Sequence, residues 1–211
     1  MKKHLLPLIM FIILVGTWVF FYKQLPDQVP MQWGADGTVN WYAPRMVAML
    51  SNLGLYLIIY GLIFNLPKVD PKKNKHKIFS KSYGTITYSI LVLFFAINLL
   101  TILTSIGYDI GIHHFVPILI GVLFITVGNH MQTIRPNWFV GFRTPWTLEN
   151  EEVWRKTHRI GARLLIATGF IFCFMPFFNE AMLLPIILLT ILILVIIPFV
   201  YSYLLHRKLT K

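Results

Sequence analysis

Residues 182–205 read MLLPIILLTILILVIIPFVYSYLL, an unbroken run without a charged side chain. A helix rises about 1.5 Å per residue, so roughly 20 such residues cross the hydrocarbon core of a membrane. Working outward towards the N-terminus, five further uncharged runs appear: Leu164–Phe178, Phe115–Gly128, Gly84–Ile106, Met46–Leu66 and Leu5–Tyr22. The fourth span is expected to extend through His113 and Asn129, and the fifth back through Gly161. The predicted fold is all-α, a polytopic membrane protein of six transmembrane helices. The first run follows Lys2, Lys3 and His4 as a signal peptide would, but it ends in Phe20, Phe21, Tyr22 and Lys23 without a small-residue cleavage pattern. It is expected to be an uncleaved anchor.

Composition agrees. The 211 residues are 56% hydrophobic and 13% charged, with a mean hydropathy of +0.67. A soluble domain carries about a quarter charged residues, so an ordinary cytosolic enzyme is excluded. The net charge of +11 is a matter of topology. With the N-terminus inside, seventeen Lys and Arg fall on one side, and only Lys23 and Arg45 on the other. Cytoplasmic loops carry such an excess, so both termini are expected to be cytoplasmic. The basic residues favour anionic membrane lipid as a partner, and no direct nucleic-acid binding is expected. Cys173, the only cysteine, cannot form an intrachain disulfide and reads as a small hydrophobe.

No span has an ionisable residue near its middle, whereas ion and proton pathways need one. Ser51, Asn52, Asn98 and Thr101 are polar residues at depth, expected to hydrogen-bond between helices or back to the backbone. His113 and His114 lie at one end of the fourth span and His130 at the other, about 25 Å apart along a helix, so they cannot share an ion. No metal or cofactor is expected.

Three regions follow: residues 1–66 with two spans and an extracytoplasmic loop at 23–45, a basic cytoplasmic linker at 67–83, and a four-helix region at 84–211 with a cytoplasmic loop at 130–163. The outer loop reads KQLPDQVPMQWGADGTVNWYAPR. Its prolines fix backbone angles, Ala35-Asp36-Gly37 offers a turn, and Trp33, Trp41 and Tyr42 suit the headgroup level. It reads as an ordered, membrane-hugging turn, a recognition surface for something arriving from outside, or both.

The inner loop reads HMQTIRPNWFVGFRTPWTLENEEVWRKTHRIGAR. Its first half is too broken by Pro and Gly for a regular helix. Thr147 is expected to cap a helix from about Leu148, with Glu151–Arg155 and Glu152–Lys156 as i,i+4 pairs. Val153, Trp154, Thr157, Ile160 and Leu164 give it one less polar face, so an amphipathic helix lying at the inner interface is predicted. A catalytic reading would cast Glu151 or Glu152 with His158 as acid and base, but no Ser or Cys nucleophile pattern accompanies them. Binding or packing is the alternative.

The run Pro136-Asn137-Trp138-Phe139-Val140-Gly141-Phe142-Arg143-Thr144-Pro145-Trp146-Thr147-Leu148, then Glu152-Val153-Trp154 and Thr157-His158-Arg159, closely resembles the signature of the SdpI bacteriocin-immunity family. Leu25-Pro26-Asp27-Gln28-Val29-Pro30, then Trp33 and Asp36-Gly37, resembles the extracytoplasmic module that commonly precedes it. The resemblance implies a non-enzymatic protein of the bacterial cytoplasmic membrane that protects its host from an extracellular toxic peptide of the SdpC type. It further implies a repressor of the SdpR type as a partner drawn to the membrane. On this reading Asp27, Trp33, Asp36, Gly37, Trp41 and Tyr42 meet the toxin. The inner motif, with Arg135, Arg143 and Arg159 as charged contacts and Trp138, Trp146 and Trp154 as anchors, is either the scaffold for the toxin-bound state or a dock for a regulator. Gln32 stands where the module leads one to expect His, and it can neither ligate metal nor titrate near neutrality. The competing readings are a membrane enzyme acting on toxin or lipid, and a small peptide exporter.

Overall fold

The computed structural model describes residues 2–70 and 80–210. Among these are seven α-helices and one two-stranded hairpin. Helix α1 (Lys2–Phe21) leads into strands β1 (Gln28–Trp33) and β2 (Val39–Pro44), and α2 (Arg45–Val69) follows without a loop. Then come α3 (Ser80–Ser105), α4 (Ile112–Met131), the short α5 (Pro145–Glu149), α6 (Glu151–Phe174), a 3-10 turn (Met175–Phe177) and α7 (Glu180–Leu209). Six of the helices are long and apolar enough to cross a membrane, at the positions expected. The fourth and fifth spans extend into their flanks as predicted. Of the basic linker, residues 71–79 lie outside the described residues.

The chain folds as two helical trios joined through α3 and α4. Helices α1, α2 and α3 pack on one another, and α6 packs on both α4 and α7. In the first trio Met10, Leu14, Tyr56 and Leu91 form a buried cluster. Two polar contacts cross it: Trp18 Nε1 donates to Asn98 Oδ1 at 3.2 Å, and the Tyr56 hydroxyl donates to Pro7 O at 3.1 Å. Asn98 is thus the interhelical bond expected of a polar residue at depth, whereas Ser51 and Thr101 bond back to their own helices. The second trio is closer. A Cβ on Gly121 of α4 would lie 2.6 Å from Gly169 O of α6, and one on Gly128 would lie 2.9 Å from Ala162 O. Small residues seven apart on each helix therefore let the two backbones touch, as membrane helices do where hydrophobic exclusion cannot drive them together. Cys173, half-buried rather than buried, sits beside this contact. Leu8, Ile12, Leu55, Ile58, Leu188 and Val195 face outward, a surface suited to the apolar interior of a membrane.

Two expectations are corrected. The predicted interfacial helix is the first part of α6, continuous with the fifth span. Its buried stripe runs without a break from Val153 and Trp154 through His158 and Ala162 to Leu165, so the helix is not interrupted at Gly161. Nor does Thr147 cap it. Thr144 caps α5 in a reciprocal box in which Thr147 is the third residue, and Asn150 caps α6 by accepting from Glu152 N at 2.8 Å and Val153 N at 3.2 Å. A second short-chain cap in the same stretch splits what reads as one helix into two.

Candidate functional site

The residues singled out in the sequence gather at opposite ends of the bundle, one group on the hairpin and one on the loop between α4 and α6. At the hairpin end, β1 and β2 pair antiparallel, Val29 opposite Ala43 and Trp33 opposite Val39, with a register shift at Gln32. Val29 and Ala43 turn inward onto Trp18, Ala48 and Ile102, so one face of the hairpin is part of the core. The outer loop is thus a folded strand pair, an element that its prolines and short length concealed.

Gly37 closes the turn at a φ of +80°, a left-handed conformation suited to glycine. The Asp36 carboxylate accepts from the Thr38 hydroxyl at 2.7 Å and from its amide at 3.1 Å. The hydroxyl first, then the amide, holds the Asp36 carboxyl below its usual range. Asp27 does different work: its carboxylate pairs with the Arg45 guanidinium, and its carbonyl accepts from Arg45 N at 3.1 Å. This clamps the base of the hairpin to the first residue of α2. Trp41 and Tyr42 are 54% and 50% exposed, which leaves them open to a partner. Trp33 instead edges an apolar cavity of about 480 Å³ under the hairpin, walled also by Met31, His113, Phe172 and Leu183.

The other end is a knot of hydrogen bonds. Asn137 is wholly buried, and each of its polar atoms is used. Oδ1 accepts from Phe139 N at 2.8 Å and Val140 N at 2.7 Å, while Nδ2 donates to Arg135 O at 2.9 Å and Val140 O at 3.0 Å. Gly141, at a φ of +109°, then turns the chain over His158. Phe142 N–H donates to His158 Nε2 at 3.1 Å, and Nδ1 lies 2.8 Å from Trp154 O. Because an amide can only donate, Nε2 accepts, and the ring proton sits on Nδ1, bonded to that carbonyl. The ring also stacks on Trp154, with centroids 4.0 Å apart, and Trp154 Nε1 donates to Ile134 O at 2.8 Å.

This geometry separates His158 from the acidic residues that the catalytic reading grouped with it. Both its nitrogens are committed to backbone, while Glu152 pairs with Lys156 at 2.7 Å and Glu151 faces outward. Arg143 donates to Trp138 O, so it staples the loop. Trp146 packs on Phe199 and Tyr203 of α7, and the Thr144 and Ser202 hydroxyls meet at 3.1 Å. Pro136 is buried, Pro145 begins α5, and Thr157 is buried in α6. All three expected charged contacts, Arg135, Arg143 and Arg159, are exposed, and Arg135 and Arg159 line a cleft of about 680 Å³ with Arg155, Glu151 and Glu152. Trp138, 46% exposed, is the one motif tryptophan that presents itself outward.

One residue that the motif reading passed over connects the ends. Asp70, buried just beyond α2, accepts from Trp138 N at 3.1 Å through Oδ2. Helix α2 therefore runs from a clamp on the hairpin to a contact with the motif loop. An acidic residue next to a lysine-rich stretch was the available signal.

The fold and these two ends define a multi-pass membrane protein with an exposed aromatic hairpin at one end and a buried, hydrogen-bonded loop at the other. Residues 133–202 match the SdpI/YfhL protein family, and residues 9–55 match a domain of unknown function, DUF1648. Over 210 residues the chain is 29% identical to "Immunity protein SdpI" of Bacillus subtilis (strain 168), covering 99% of this chain and 98% of that protein. The chain is thus similar to the SdpI/YfhL family over residues 133–202 and to an immunity protein along nearly its whole length, and its six long apolar helices make it a multi-pass membrane protein. No solved structure matches it.

Proposed function

We propose that this protein confers immunity on its host by capturing a toxic peptide of the SdpC type at the membrane, without enzymatic turnover. Near full-length similarity to an immunity protein supports the general role. The observation that carries the mode of action is the arrangement of the hairpin: Trp41 and Tyr42 are exposed on one strand, and Trp33 of the other strand edges an apolar cavity. An amphipathic or apolar peptide arriving from outside would meet rings first and could bury side chains beneath them. Asp36 and Gly37 hold the turn in shape, and Asp27 holds its base. The hairpin end is extracytoplasmic in this reading, and both termini are cytoplasmic, in keeping with the distribution of lysine and arginine.

The motif loop serves a regulator on the cytoplasmic side, with an SdpR-type repressor as the candidate. Its exposed groups include Arg135, Trp138, Arg143 and Arg159; the rest of the motif, Asn137, Gly141, Thr144, Thr147, Trp154 and His158, shapes the loop. With both ring nitrogens of His158 bonded to backbone, an acid-base role has little support. Signalling requires that toxin bind two states of the bundle unequally, and α2, like α3, touches both ends.

The test is survival of a sensitive bacterium expressing the chain and challenged with an SdpC-type peptide. Protection is expected, with the peptide recovered chemically intact. It should fall at least tenfold in Trp41→Ala/Tyr42→Ala at equal membrane abundance. Killing equal to an empty vector, with the protein in the membrane, overturns the immunity reading; cleaved peptide overturns capture in favour of an enzyme.

A further inference from the structure

The bundle end that carries the motif loop holds a second feature, in the other trio. Helices α1, α2 and α3 leave a groove of about 610 Å³ between them. Phe64, Tyr83 and Tyr88 wall it, and Lys3, Lys68 and Lys81 stand around it, one from each helix. No acidic residue lines it among the described residues. All three lysines are exposed. Lys68 donates to Asn65 Oδ1 at 2.8 Å, a neutral partner that leaves its charge uncompensated.

Hydrogen bonds between the helices hold the groove open. The Tyr88 hydroxyl donates to Lys3 O at 3.0 Å, tying α3 to α1, and the Tyr83 hydroxyl donates to Ile63 O at 2.6 Å, tying α3 to α2. His4 Nδ1 and the Tyr60 hydroxyl share a bond of 2.8 Å between α1 and α2. A ligand here meets a preformed site and pays little for ordering it.

We propose that this groove binds the headgroup of an anionic phospholipid. Three ammonium groups from three helices converge on a phosphate, and the aromatic walls take the first carbons of the glycerol and acyl chains. Exposed Leu8, Ile12, Ile58 and Leu62 continue α1 and α2 into the apolar layer where those chains run. Basic pockets between membrane helices are suited to such headgroups. The cleft beside the motif loop has three arginines but also Glu151 and Glu152, whose carboxylates repel a phosphate. The lysine groove has no such opposition.

The experiment is native mass spectrometry of the full chain in neutral detergent, titrated separately with phosphatidylglycerol, phosphatidylcholine and inorganic phosphate. Each lysine near an anionic headgroup is worth about fivefold in affinity, so the triple variant K3Q/K68Q/K81Q is expected to lose on the order of a hundredfold for phosphatidylglycerol. The charge-conserving K3R/K68R/K81R should retain binding, as should R155Q/R159Q, which alters only the cleft at the motif loop. Undiminished preference for phosphatidylglycerol in the glutamine variant overturns the proposal. So does equal binding of phosphatidylcholine, or displacement of the lipid by inorganic phosphate at equal concentration, which would make the site one for a free anion.

Discussion

Gly141 has the most constrained backbone position in the motif. Its φ is +109°, and a Cβ there would lie 2.1 Å from His158 Nε2, the atom that accepts the Phe142 amide. Gly141→Ala therefore meets two penalties, a left-handed backbone and an intrusion into a hydrogen bond. A loss of about 1–3 kcal/mol is expected from the backbone conformation alone, read as a lower unfolding midpoint in detergent. A midpoint equal to wild type would mean that the loop can relocate without cost. Asn137 was legible in the sequence as part of the motif, but its work was not: four bonds to backbone within three residues require the fold to bury it. Likewise Arg143 reads as a charge available to a partner, and in the structure its exposed guanidinium also staples the loop by donating to Trp138 O.

Among the elements, α4 and α6 show why a glycine count is uninformative without a partner surface. Gly121 and Gly169 each face the carbonyl of the other at 2.6 Å from an added Cβ, whereas Gly54 and Gly61 of α2 face open space. Gly121→Ala is expected to force the helices apart and cost about 1–3 kcal/mol, while Gly54→Ala should be neutral to slightly stabilising. Thermal unfolding of the two variants side by side decides it. Equal midpoints would remove the close approach from the packing argument. The hairpin was the least legible element, because Pro26, Pro30 and Pro44 suggest a loop. Pairing is possible because Pro30 and Pro44 occupy strand positions in a ribbon of two edges, where a missing amide costs little.

Across the whole molecule, α2 links a hairpin clamp at Asp27–Arg45 to a loop contact at Asp70–Trp138. Asp70→Ala leaves the part-buried Trp138 amide without this carboxylate, an expected cost of about 0.5–1.5 kcal/mol. If α2 couples the ends, cells expressing this variant should retain labelled toxin as wild type does and yet lose protection or signalling at least fivefold. Retention and protection falling together would reduce Asp70 to a stability role.

The six spans were readable from the chain directly, since apolar length is a property of consecutive residues and lipid imposes it locally. The motif was readable for the same reason, as a contiguous run. Which helices touch, that α6 absorbs the amphipathic stretch, that His158 is tied to backbone on both sides, and that Asp70 reaches the loop were settled by tertiary structure. Each depends on atoms between 4 and 80 positions apart meeting within hydrogen-bond or van der Waals distance. Within an all-apolar membrane bundle, outward and inward faces carry the same residue types, so periodicity holds little record of partner choice.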